Sequence, residues 1–194
     1  MFYRFVMHIA RFLLFFFIRL KAVGTENIIM DGGVIFAANH KSWLDPVVVA
    51  VSSPRKIAFM SKKELFKNKI VAYFLKSLGA FPVNRGKGDI GAIKTGMTIL
   101  NQGQVLMIFP EGKRLKKGES VPAKPGVALF ATHNRVPVIP ILIDGDFGFM
   151  KKITVIFGKP ICFDEYYDQK LKSEQLTELS QNILDTVYAL KENK

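Results

Sequence analysis

Acidic residues are scarce in this chain: 16 Asp and Glu stand against 28 Lys and Arg, a formal charge of +12 over 194 residues. So large an excess calls for an acidic partner, whether nucleic acid, anionic lipid or an acidic protein. Cysteine occurs once, so no internal disulfide can form, and the usage fits a reducing compartment. The lone Cys162, in KPICFDE, reads as a packing residue. Histidine occurs three times, at His8, His40 and His133, without ligand spacing, so no metal site is expected. No G-x-S-x-G elbow is present to support a serine hydrolase. Internal repeats and low-complexity tracts are also missing. Basic residues are not grouped with aromatic stacking positions, which argues against nucleic acid as the acidic partner.

Long uncharged runs are missing from the N-terminal segment too. MFYRFVMHIARFLLFFFIRLK is strongly apolar, yet its longest uncharged stretch is FLLFFFI. A central Arg costs about 2.5–3.5 kcal/mol on insertion, so a membrane span is disfavoured. Arg19 and Lys21 sit where a signal peptide needs a neutral cleavage region. On a helix, Arg4, His8, Arg11 and Arg19 fall within roughly 80° of one another, with Phe and Leu over most of the remaining surface. Phe15 intrudes on that polar stripe. The pattern predicts a membrane-associating helix over residues 1–22, lying in the interface with a cationic edge toward lipid phosphates.

What remains, residues 23–194, suffices for one core; 49% of the chain is apolar, with 17 Phe. Strand-length apolar runs alternate with helical patterns. VIFAA (34–38), KIAFM (56–60), AFPVN, QVLMIFP, VPVIPILI and ITVIFG read as strands. PVVVAVSS reads as a helix starting at Pro46, KELFKNKIVAYFLKSLG as one helix with Leu65, Phe66, Ile70, Phe74 and Leu78 near one face. DIGAIKTGMTILNQG, PGVALFATHN and the tail from Ser173 complete the helices, with Ser173 as cap and Leu176, Leu179, Ile183, Val187 and Leu190 inward. The alternation predicts a single α/β domain: a central, mostly parallel or mixed sheet flanked by helices. In such sheets ligands collect at the strand carboxyl ends. His40, Arg85 and Glu111 each follow a predicted strand by a residue or two.

Three clusters therefore draw attention. In NHKSWLDP, His40 and Asp45 are five apart, which is not a same-face helical spacing; they meet only if the chain turns sharply before the Pro46 helix. An imidazole fixed by a carboxylate there can accept a hydroxyl proton. Taken alone, such a pair is better explained by a surface loop and a helix cap, because it is common by chance. In GAFPVNRGKGD, Arg85 and Lys87 flank glycines before a helix, suited to gripping a phosphate or to forming a solvated basic turn. In FPEGKRLKKG, Gly112 permits a sharp turn, Arg114 offers a phosphate fork, and Glu111 would hold Arg114 or bond a substrate hydroxyl. GKGDIG matches a dinucleotide fingerprint but follows a short, proline-broken strand, so no nicotinamide cofactor is expected.

In this order, the clusters resemble the 1-acyl-sn-glycerol-3-phosphate (lysophosphatidic acid) acyltransferase family of the glycerolipid acyltransferase superfamily. NHKSWLDP is similar to its first motif, FPVNR to its second, FPEGKR to its third and VPVIPILI to its fourth. Lys113 stands where the family usually has threonine. The resemblance implies transfer of a fatty acyl group from acyl-CoA or acyl carrier protein to the sn-2 hydroxyl of lysophosphatidic acid, giving phosphatidic acid for phospholipid biosynthesis, without a cofactor or metal. It implies His40 as general base oriented by Asp45, backbone amides near Trp43 at the oxyanion, and Arg85, Glu111, Gly112, Lys113 and Arg114 at the acceptor. A place on the cytoplasmic face of the cell membrane follows from such a substrate. Lys62, Lys63, Lys67 and Lys69 would add attraction to anionic lipid, dock an acidic carrier, or simply form a solvated face. Alternatives are a superfamily member using glycerol 3-phosphate or another lysophospholipid, and a non-catalytic lipid-binding module that would need no His40 and Asp45.

Overall fold

A computed structural model describes residues 2–84 and 89–192. The described chain runs α1 (Phe2–Phe17), β1 (Ile18–Val23), β2 (Val34–Ala38), α2 (Asp45–Ser52), β3 (Ile57–Lys62), α3 (Lys69–Ser77), β4 (Ala80–Val83), α4 (Ile90–Asn101), β5 (Val105–Ile108), α5 (Gly126–Asn134), β6 (Val138–Asp144), β7 (Lys151–Phe157) and α6 (Ser173–Ala189). Their sheet has the order β1-β7-β6-β2-β5-β3-β4. β6 and β7 pair antiparallel, and every other neighbouring pair is parallel, so the sheet is mixed.

VIFAA carries no polar side chain because β2 is the middle strand, covered on both faces. Val34, Phe36 and Ala38 point into a core shared with Val48 and Val49 of α2 and Leu14 of α1. Ile35 and Ala37 point the other way, toward Val127 and Phe130 of α5 and Ile183 of α6. The two-residue period of a strand sorts one run into two cores. Phe36 meets Phe157 of β7 edge to face, at 5.8 Å between ring centroids. A right-handed crossover from β3 to β4 puts α3 on the same side of the sheet as α2.

The N-terminal helix ends at Phe17 rather than running to residue 22, and Ile18–Val23 forms the edge strand β1 instead. IRLKAV alternates apolar and charged residues, which suits a strand paired on one side only, with β7. Arg19 is therefore on a strand, not on the helix. Within α1, Tyr3, Met7, Ala10 and Leu14 face the protein, while Phe5, Ile9, Phe12 and Phe16 form an exposed stripe. His8 and Arg11 are exposed beside it; the side chains of Arg4 and Phe15 lie outside the described ones.

Topology fixes how α1 crosses the sheet. The Tyr3 hydroxyl accepts the Ile57 amide, at the amino end of β3. At the other end, the Phe17 carbonyl accepts from Met150, just before β7. Because β7 runs against β6, its start lies where the parallel strands finish. The Phe16–Phe17 end of α1 thus shares the sheet end that carries His40.

The expected helix over 63–79 is two elements. A 3-10 turn covers Lys63–Phe66, and Asn68 then caps α3 by accepting from the Ile70 and Val71 amides. The restart turns Ile70 and Phe74, expected inward, out to 71% and 48% exposure. Ser173 is the first residue of α6 rather than its cap; the Gln175 side chain accepts the preceding Lys172 amide. Cys162 is exposed, and its neighbour Phe163 is the one that packs.

At the carboxyl end of β2, Asn39 continues the ladder with its side chain. Oδ1 accepts the Ile143 amide at 2.7 Å and Nδ2 donates to the Ile143 carbonyl at 3.2 Å. Asn39→Ala is expected to lower stability by about 2–3 kcal/mol, because it strands both buried groups of Ile143. Urea denaturation checks it: the midpoint falls while the slope holds.

Candidate active site

His40 and Asp45 meet, and the turn between them explains how. One carboxylate oxygen, Asp45 Oδ2, accepts from the Lys41 amide at 2.6 Å, the Ser42 amide at 2.7 Å and His40 Nδ1 at 2.9 Å. Three donors on a single oxygen wrap residues 40–45 around it and start α2, with Leu44 in the capping position and Pro46 in the first turn. The bond leaves a proton on Nδ1 and Nε2 free to accept one. Asp45 is fully buried and His40 nearly so. The imidazole is also stacked on Phe109, which leaves β5, with centroids 3.8 Å apart and planes at 16°. Phe109 thereby holds the ring plane that Asp45 alone would leave free to tilt.

Glu111 lies behind this turn. It is 1% exposed, and its Oε1 accepts the His40 amide at 3.3 Å and the Tyr188 hydroxyl at 3.0 Å. Oε2 is buried without a partner among the described residues. Burial pushes the Glu111 carboxyl above the usual carboxylate range, with Asp45 adding a little to the rise, while its own backbone amide, Tyr188 and the His40 amide oppose it. Glu111 does not hold Arg114. That guanidinium lies over the Trp43 ring, 3.8 Å from its centroid, beside the His40 turn. Gly112 turns the chain at a φ of +67°, as its position in the motif requires. Lys113 pairs with Glu119 at 2.5 Å on the surface. Arg85 and Lys87 fall outside the described residues. The next helix, α4, is capped by Asp89, which accepts from Ala92 at 3.0 Å.

Of the amides expected near Trp43 for an oxyanion, those of Lys41 and Ser42 serve Asp45. The Leu44 amide donates to Ser42 Oγ and the Asp45 amide to the Ser42 carbonyl. The Trp43 amide is the one in the turn that these bonds leave over.

A polar cavity of about 700 Å³ opens beside His40, with Lys41, Lys116, Lys117, Tyr188 and Lys191 in its walls. Lys41 reaches the Gly145 carbonyl, and its burial pushes that ammonium down from the ordinary lysine value. Neither Tyr188, near the end of the amphipathic α6, nor Lys191, just past it, carries a signal in the sequence, since both lie far from the motifs. A second groove, about 1030 Å³, runs between α1, β1 and the far end of α2, with Arg11, Arg19, Lys21 and Lys152 about apolar walls.

The chain is an acyltransferase-family protein: residues 19–144, the span that includes the His40 turn and the Glu111 loop, match the family model described as Acyltransferase. Within it, the chain belongs to the 1-acyl-sn-glycerol-3-phosphate acyltransferase family. A relative of that name from Bacillus subtilis (strain 168) is 36% identical over 148 residues, 73% of each chain. Another, from Streptococcus pneumoniae (strain ATCC BAA-255 / R6), is 31% identical over 79% of this chain and 58% of its own. The crystal structure of the 1-acyl-sn-glycerophosphate acyltransferase PlsC from Thermotoga maritima shares the fold, with a TM-score of 0.74, 23% identity, and coverage of 97% of this chain and 79% of that one.

Because folding raises the Glu111 pKa, the native state binds that proton more tightly than the unfolded chain does. This contribution is unfavourable at neutral pH and is relieved as pH falls through the raised value. Glu111→Gln should therefore gain stability relative to wild type as pH rises from 4 toward 8. Denaturant midpoints of both proteins across that range read the difference.

Proposed function

We propose that the chain transfers a fatty acyl group from a thioester, on coenzyme A or acyl carrier protein, to the sn-2 hydroxyl of 1-acyl-sn-glycerol 3-phosphate, forming phosphatidic acid. The observation that carries this reading is the buried His40–Asp45 bond of 2.9 Å, which leaves Nε2 as an oriented base. Nε2 takes the hydroxyl proton as the oxygen attacks the thioester carbonyl; the tetrahedral intermediate then collapses, and the departing thiolate takes the proton back from His40. Asp45 stabilises the imidazolium in between, and so does the face of Phe109. No enzyme nucleophile is required, because the thioester is already activated. The free Trp43 amide is the nearest backbone donor for the oxyanion.

Arg114, at the same turn, is the cation placed to hold the acceptor phosphate; Arg85 and Lys113 join it in this reading. Gly112 gives the loop its turn, and Glu111 supports it from beneath. Lys41, Lys116, Lys117 and Lys191 about the cavity suit the phosphates of the donor. A non-catalytic lipid-binding module would have no use for a buried base with a fixed tautomer. Among the described residues no helix is long and apolar enough to cross a membrane. The exposed stripe Phe5, Ile9, Phe12 and Phe16 instead supports a bilayer surface as partner, on the cytoplasmic side where thioester donors are found. Ile70, Tyr73 and Phe74, exposed on α3 among Lys67, Lys69 and Lys76, offer a further contact on the same side of the sheet.

His40→Ala is expected to cut transfer at least 10³-fold with the fold retained. Label transfer from both donors to lysophosphatidic acid tests this against wild type; a variant with wild-type turnover would remove His40 as base. Phe5→Ser with Phe12→Ser leaves the inward residues of α1 intact and should weaken binding to anionic liposomes at least tenfold. Sedimentation reads that, and unchanged binding would place the contact elsewhere.

A further inference from the structure

Tyr188 is a wall of the polar cavity that the proposed chemistry does not use. It stands near the end of α6, a helix anchored through Ile183, Leu184 and Val187. Its hydroxyl donates to Glu111 Oε1 at 3.0 Å, and the same oxygen accepts the His40 amide at 3.3 Å. The His40 carbonyl in turn accepts from Leu115, at 2.8 Å, four residues past Glu111. Both backbone groups of His40 are thus tied to one loop, and the carboxylate of that loop is tied to α6.

We propose that Tyr188 is a positioning residue: its hydroxyl clamps the Glu111 carboxylate, so that the C-terminal helix sets where the His40 backbone, and with it the imidazole, stands. Asp45 orients the ring, and the Tyr188–Glu111 pair orients the residue that carries it. The inference rests on His40 as the base of the proposed reaction.

Charge makes the clamp sensitive to pH. An ionised carboxylate is the stronger acceptor for the His40 amide, and a neutral one is weaker. The groups that face Glu111 are Tyr188 from α6, and Asp45 and the His40 amide from the β2–α2 turn. On its own loop, Lys113 is engaged with Glu119 and Arg114 with Trp43. Burial and the neighbouring Glu111 push the Tyr188 hydroxyl above the ordinary phenol range, so it remains the donor at neutral pH. Without that donor the Glu111 carboxyl climbs further, and the ionised form retreats to higher pH.

Tyr188→Phe is the test. It removes one oxygen from a residue that is 44% exposed, so the fold should be retained, with a melting temperature lowered by only a few degrees at neutral pH, where Glu111 has lost a donor. Relative to wild type, kcat is expected to fall roughly tenfold at the acidic end of the activity profile and to recover toward wild type as pH rises, with acceptor KM unchanged. Exchange of the His40 amide, followed by NMR without substrate, should quicken about tenfold. Added to Glu111→Gln, the same substitution should change neither readout further. A loss of kcat that is flat with pH, or none at all, would overturn the proposal, as would unaltered exchange at His40. If wild type transfers no acyl group to lysophosphatidic acid, the functional reading fails, while the exchange measurement still decides the clamp.

Discussion

A single oxygen, Asp45 Oδ2, organises this molecule's chemistry. It accepts three N–H groups within 2.9 Å while fully buried. Hydrogen bonds to a charged acceptor are worth about 1.5–3 kcal/mol each, enough together to offset much of the cost of removing the carboxylate from water. Two of the three donors are backbone amides, and they bend the chain from strand to helix. The third is the imidazole. The cap-like reading and the catalytic reading of Asp45 are therefore one arrangement: the turn that folds residues 40–45 is what brings Nδ1 within reach and fixes the tautomer. Asn39, one residue earlier, ties the same turn to β6, so the site inherits the rigidity of the sheet centre.

The sheet's one reversal does the rest of the placing. Had β7 run parallel to β6, its start and that of β1 would lie at the opposite end of the sheet from His40. Because it runs antiparallel, the aromatic end of α1 is delivered to the carboxyl ends of the parallel strands. α1 carries two stripes a few residues out of phase, one filling the core through Leu14 and one facing outward through Phe12 and Phe16, which meet edge to face at 4.9 Å. An apolar stripe of this size near the sheet end that carries His40 suits the bilayer-surface contact proposed for this chain.

Elements covered on both faces were legible in the sequence, because burial leaves a run such as VIFAA or VPVIPILI no polar choice. The His40 turn was legible through its spacing to Pro46, and Gly112 through the need for a positive φ. Edge elements were harder. IRLKAV satisfies both a two-residue and a helical period over so short a span, and only its partner β7 decides between them. The break at Asn68 is hidden by apolar residues that continue on either side of it, so the pattern puts Ile70 and Phe74 on one face with Leu65, Phe66 and Leu78. Tyr188 gave no local signal, since its role depends on a contact 77 residues away. Leu176 to Leu190 could say which side of α6 is buried, but not which side chain at its end reaches the loop after β5.

His40 sits between two buried carboxylates that differ in how well they are satisfied. Asp45 has three donors on one oxygen and Glu111 has two, while the second oxygen of each is buried without a partner among the described residues. The first arrangement fixes the carboxylate in place, as the orienting role proposed for Asp45 needs. The second holds one loosely, with burial raising the carboxyl and two weakly spaced donors restraining it. Gripped by one firm and one adjustable carboxylate, the His40 turn is rigid in its ring orientation and tunable in its backbone. The tuning group belongs to the C-terminal helix, so a change in how α6 docks on the sheet would reach His40 through Tyr188 and Glu111 without disturbing the bond to Asp45.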